Sequence, residues 1–148
     1  MRTIQLLHRS GVGVGPERSI TDVAQIMEQS GIGSVAVVDG GVLVGIVTDR
    51  DLVRRALAYE LPPDARVDAV MSSPVATIDA DADIHDAMDL VRSHGVRRLP
   101  VVDGGRFVGM LTIDDLLVEL AADLVDLTRP IHDALGHPHR DAKVPAVR

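Results

Sequence analysis

The chain matches itself. Laid over itself at an offset of 64 residues (Thr48 on Thr112, Asp51 on Asp115), it repeats most of its length. Ile32 to Leu52 reads IGSVAVVDGGVLVGIVTDRDL, and Val96 to Leu116 reads VRRLPVVDGGRFVGMLTIDDL. Upstream, Ile20 and Asp22 fall on Ile84 and Asp86, and Gly31 falls on Gly95. A fixed internal period constrains architecture more than any local propensity. Repeat one spans 3–62, repeat two spans 67–127, and 128–148 is left as a C-terminal tail.

Each repeat spells β-α-β-β-α, which predicts an α+β fold. In repeat two, Pro74 to Ile78 reads as a short strand, and the acids of Asp79 to Asp83 offer helix N-caps. Ile84, Ala87, Met88 and Val91 recur at helical spacing until Gly95 stops the helix. Leu99–Val102 and Phe107–Leu111 are strands joined by Asp103-Gly104-Gly105, a hairpin turn in which glycine supplies positive φ. A second helix opens at Thr112 and runs to about Leu127, with Thr128-Arg129-Pro130 ending it. Repeat one gives strands at Val12–Val14, Val35–Val38 and Leu43–Val47, with helices over Ile20–Gln29 and from Thr48. A unit of about 60 residues has trouble covering its own sheet. Two in one chain can cover each other as a pseudo-two-fold pair, leaving a cleft between like halves where a small ligand sits.

Composition narrows the chemistry. Phe107 and Tyr59 are the only aromatic residues, so the core is aliphatic and base stacking on a ring platform is excluded. A net charge of −7, from 15 basic and 22 acidic residues, argues against a nucleic-acid backbone surface. There is no cysteine, which removes disulfides, thiolate metal sites and cysteine nucleophiles. No apolar run approaches a membrane span, so a soluble, cytoplasmic protein is expected.

The strand-to-helix junction carries the functional signal. Gly45-Ile46-Val47-Thr48-Asp49-Arg50-Asp51 recurs as Gly109-Met110-Leu111-Thr112-Ile113-Asp114-Asp115. Thr-x-x-Asp at a helix start resembles a capping box, in which hydroxyl and acid satisfy orphan N–H groups. The same geometry suits a nucleotide. N–H groups at the helix start and the hydroxyl meet phosphate, and the carboxylate accepts from vicinal ribose hydroxyls. Two such pairs beside a shared cleft favour the nucleotide. Arg50, Arg97 and Arg98 are the cations best placed for a phosphate tail, since guanidinium matches phosphate bidentately. Taken singly, Arg97 or Arg98 would serve equally well in a surface ion pair.

These repeats resemble a tandem pair of CBS domains, the regulatory module named for cystathionine β-synthase. The resemblance covers residues 3–127 and rests on VVDGG-x-x-VG-h-h-T-x-x-D in both halves. It implies an adenosine derivative in the cleft: AMP, ADP or ATP, less often NAD(P)H or S-adenosylmethionine. It also implies a phosphate contact from Thr48 and Thr112, a ribose contact from Asp51 and Asp115, and a disc-shaped homodimer. Repeat one departs from the pattern. Ile32-Gly33-Ser34-Val35-Ala36 lacks the arginines and proline of Val96-Arg97-Arg98-Leu99-Pro100, and Ser10 to Pro16 is glycine-rich, which loosens the pocket at the first strand. These departures favour the Thr112/Asp115 site over the Thr48/Asp51 site.

Other motifs fall away. Gly11-x-Gly13-x-Gly15 lacks a preceding strand and its third glycine spacing, so it is no dinucleotide fingerprint. His137-Pro138-His139 lies in the tail without a spaced carboxylate, and His85-Asp86 has no nucleophile beside it. No catalytic residue, required cofactor or metal is expected. The sequence thus predicts a non-catalytic sensor of adenosine nucleotides acting on a separate protein. A ligand-free scaffold dimer is the rival reading. Leu116, Leu117, Leu120, Leu124 and Leu127 exceed what one small unit needs and predict contact with a second copy.

Overall fold

The structure, a computed structural model, describes residues 11–73 and 76–146, with side chains as far as residue 131. Ten elements follow in order: β1 (Gly13–Val14), α1 (Ile20–Ser30), β2 (Ser34–Asp39), β3 (Val42–Thr48), α2 (Asp49–Asp51), β4 (Ile78–Asp79), α3 (Ile84–His94), β5 (Arg98–Asp103), β6 (Arg106–Thr112) and α4 (Ile113–Ala146). The chain divides into two compact units, Met1–Ile113 and Asp114–Arg148.

The first unit contains both half-sheets, and they are one. Strand order is β1-β2-β3-β6-β5-β4. Within each half, a hairpin (β2–β3, β5–β6) takes a parallel edge strand (β1, β4). The halves join through β3 and β6 at a single pair, Val42 and Arg106. The period carries into the backbone irregularities, with a bulge at Val37/Val38 and another at Val101/Val102. It carries into the loops too: Asp49 N donates to Gly33 O at 3.0 Å, and Ile113 N donates to Arg97 O at 2.9 Å.

Local chemistry explains the elements. Gly40 and Gly41 (φ 60° and 88°), and Gly104 and Gly105 (φ 57° and 82°), give the two positive-φ residues that a tight hairpin needs. Ser19 caps α1 by accepting from Asp22 N at 3.1 Å. Asp83 caps α3, and Asp86 returns the bond to the Asp83 N–H, which gives the His85-Asp86 pair a structural role. Gly31 and Gly95 end the two helices in the left-handed conformation.

The core is aliphatic, as expected. Val14, Val23, Val35, Val37 and Val47 form the repeat-one cluster, and Val67 and Val70 join it. The lead-in to repeat two thus packs into repeat one. It goes on to bridge β3, where Ser72 N donates to Ile46 O at 2.8 Å and Ile46 N donates to Ser72 O at 3.2 Å.

Three local differences from the sequence reading stand out. The strand read over Pro74–Ile78 is Ile78–Asp79; Pro74 and Val75 lie outside the described residues. The helix from Thr48 is a single α turn, then a π turn over Leu52–Ala56 and a 3-10 turn over Leu57–Tyr59. Finally, α4 does not end near Leu127. Its backbone continues through Pro130 to Ala146, so residues 129–146 continue the helix. Proline deletes one intrahelical bond and crowds one carbonyl, which bends a helix with helical flanks instead of stopping it. No helix among the described residues is long and apolar enough to cross a membrane.

Candidate functional site

Within the first unit, a cleft of about 460 Å³ opens between the repeats. That lies in the range of small-molecule sites, roughly 300–1,000 Å³. Its repeat-one wall comes from the end of β3 and the start of α2: Ile46, Thr48, Asp49 and Arg50. The repeat-two wall is Val96, Arg97, Arg98 and Pro100, leading into and along β5, with Ser72 and Ala76 between. The strand pairing explains this meeting. Ser72 is bonded to Ile46, so the lead-in of repeat two lies beside the β3 end of repeat one.

Four of the seven expected residues therefore share one wall system: Thr48, Arg50, Arg97 and Arg98. Arg97 and Arg98 of repeat two stand in the same lining as Thr48 of repeat one. A cleft between halves takes the helix start from one repeat and the strand start from the other, which a repeat-by-repeat alignment does not reveal.

Asp51 does not line this cleft. Its Oδ2 accepts from Thr48 N at 3.0 Å, while Thr48 Oγ1 accepts from Asp51 N at 3.1 Å. The capping box is thus complete. The remaining oxygen, Oδ1, lies 3.8 Å from Arg55 Nε. Thr112 ends β6 in the first unit, half-buried, and Asp115 lies in the first turn of α4 in the second.

Two polar lining residues, Asp49 and Ser72, are not among the seven expected. Asp49 contributes a carboxylate whose Oδ1 accepts from Arg50 N at 2.8 Å. Ser72 contributes through the bridge to Ile46. The acid beside Thr48 was visible in the sequence, whereas only the fold brings in Ser72.

Charge in the cleft is unbalanced. Arg18, Arg55, Arg66 and Arg92 each face a carboxylate. Among the described residues, Arg50, Arg97 and Arg98 take part in no ion pair and no side-chain hydrogen bond. Arg66 shows the paired condition: the hydrogen bond and charge of Asp68 raise its pKa above the ordinary arginine value.

The CBS domain family model matches residues 6–58 and 67–122. The chain belongs to the CBS domain family. It carries the domain twice, as a CBS-pair regulatory module. YhcV, a CBS domain-containing protein of Bacillus subtilis, is 36% identical over 105 residues, 71% of this chain and 75% of that one. A CBS domain protein of Pyrobaculum aerophilum, solved in complex with AMP, matches with a TM-score of 0.70 and 30% identity, over 82% of this chain and 99% of that one. Hypoxic response protein I, solved with two coordinated zinc ions, matches with a TM-score of 0.72 and 33% identity, over 78% of this chain and 97% of that one. Among the described residues of this CBS pair, no group of three His, Asp or Glu side chains could hold a metal. The side chains of His137 and His139 lie outside the described residues.

Proposed function

We propose that this CBS pair is a non-catalytic sensor that binds a phosphorylated adenosine compound in the Thr48 cleft and signals to a separate protein. One observation carries the reading: Thr48 and Arg50 of repeat one and Arg97 and Arg98 of repeat two face a single cleft. A relative of 30% identity is complexed with AMP. In this reading the Thr48 hydroxyl and the arginines meet phosphate, since guanidinium–phosphate bonds are charge-assisted. Asp51 stands outside the cleft's lining, so the ribose contact proposed for it requires its carboxylate, which caps α2, to turn toward the cleft; it keeps lone pairs beyond the one used in its cap. Thr112 and Asp115, at the matching positions of repeat two, are proposed for the same chemistry. AMP, ADP and ATP are the candidate ligands, with NAD(P)H and S-adenosylmethionine as rivals. The proposed setting is the cytoplasm, and the proposed assembly is a homodimer.

A scaffold without ligand has one observation in its favour: the Thr48–Asp51 box already gives both residues a structural role. Thermal shift separates the two readings, because a ligand that binds only the native state must stabilise it. At a hundredfold excess over Kd the gain is about 2.7 kcal/mol. A rise in Tm with at least one adenosine compound is expected. No shift with any of the five would leave the scaffold.

A further inference from the structure

Resting on the reading of the Thr48 cleft as a nucleotide site, we infer that this cleft ranks adenine nucleotides by phosphate number, triphosphate first, and that it is the one polyphosphate site among the described residues. Three guanidinium groups with no acidic partner among the described residues line it. One phosphomonoester can engage one guanidinium bidentately, or two less well. A single phosphate therefore leaves part of this charge unanswered, and a chain of phosphates spans it. Arg50 comes from repeat one and Arg97 and Arg98 from repeat two, so a polyphosphate would tie both walls together.

The cleft has one opposing charge, Asp49. Its Oδ1 is engaged by the Arg50 N–H, and its Oδ2 lies with Arg98 Nη2 against Gly33, each 3.3 Å from where a Gly33 Cβ would stand. Asp49 thus offsets one of three cations and leaves the lining net positive. In a protein of net charge −7, such a patch is selective as well as attractive, because the surrounding field opposes anions elsewhere.

The arginines are also unrepeated. The 64-residue offset puts Asp114 where Arg50 stands, Gly33 where Arg97 stands and Ser34 where Arg98 stands. Threonine and aspartate recur in both halves while the cations do not. The hydroxyl–carboxylate pair is common to the repeats, and the capacity for a polyphosphate is confined to one.

The test is calorimetric titration of the full chain, at fixed ionic strength and without divalent metal, with AMP, ADP, ATP and inorganic tripolyphosphate. The expected result is affinity rising about fivefold or more per added phosphate, one ATP per chain, and competition by tripolyphosphate, as charge-assisted contacts accumulate. The double variant Arg97→Gln/Arg98→Gln should flatten the series to within about twofold, the loss for ATP exceeding the loss for AMP. Should the double variant fold poorly by circular dichroism, Arg97→Gln alone, at an exposed position, should lower the ATP preference. AMP binding as tightly as ATP, or two ATP molecules per chain, would overturn the inference while leaving the nucleotide reading intact. Tripolyphosphate binding with no response to the adenine nucleotides overturns the nucleotide reading instead. Silence from all four overturns both.

Discussion

Thr48 and Asp51 hold one another at the start of α2: each side chain accepts from the other's backbone N–H, at 3.1 and 3.0 Å. The pair therefore has a cap role before any ligand arrives, and stability and affinity must be separated by choice of substitution.

Thr48→Ala removes the N-cap acceptor and should cost about 0.5–2 kcal/mol, read as a Tm lower by a few degrees. Thr48→Ser should restore most of it. Asp51→Asn keeps an oxygen for the Thr48 N–H but loses the charge. It should fold within about 0.5 kcal/mol of wild type, yet bind AMP or ATP about tenfold more weakly, as charged hydrogen bonds outweigh neutral ones. Unchanged nucleotide affinity in Asp51→Asn would remove the ribose contact from the proposal.

Gly11 lies against the ring of Phe107. A Cβ at this position would stand 2.5 Å from Phe107 Cζ and 3.3 Å from the Gly109 carbonyl carbon. Gly11, ahead of β1, thus makes room for a side chain of the other repeat. Gly11→Ala should destabilise by about 1–3 kcal/mol through overpacking. Pairing it with Phe107→Leu should recover a substantial part, and a double-mutant cycle in denaturant would show the coupling. Additive losses would mean that the two positions do not press on each other.

Much of this was written in the residues. Gly40-Gly41 and Gly104-Gly105 announced the hairpins because only glycine takes two successive positive φ values at little cost. The helix stops at Gly31 and Gly95 were legible for the same reason. Three things were not. The packing of Val67 and Val70 into repeat one depends on where the connecting chain is carried, which periodicity does not encode. The sharing of Arg97 and Arg98 with Thr48 follows from that same path. The continuation of α4 past Pro130 reflects a local rule, proline as a helix stop, overridden by helical flanks.

Glu60 is the one non-glycine residue with positive φ among the described residues, at φ 55° and ψ 39°, where it ends the 3-10 turn. A side chain in the left-handed region costs about 1–2 kcal/mol. Glu60→Gly relieves that strain but frees the unfolded chain, so a net gain of about 0.5–1 kcal/mol is expected. The midpoint of urea unfolding, at unchanged m-value, would report it. A lowered midpoint would show that the Glu60 side chain contributes more than its backbone costs.

The leucines of α4 carry the dimer proposal. Leu117, Leu124 and Leu127 are 56%, 61% and 71% exposed, and Ile131 is 58% exposed. They succeed one another at spacings of seven, three and four, which places them along one side of a helix. Single exposed apolar residues are ordinary, but an aligned row is a surface that another helix can cover. Leu124→Glu with Leu127→Glu would place two carboxylates in any such seam, at a cost too large for a marginal interface to bear. Sedimentation velocity at micromolar concentration should show a dimer for the wild type and a monomer for the double variant, with circular dichroism unchanged because both positions are exposed in the chain. A wild-type monomer would dispose of the homodimer. A double variant that still sediments as a dimer would move the interface away from α4.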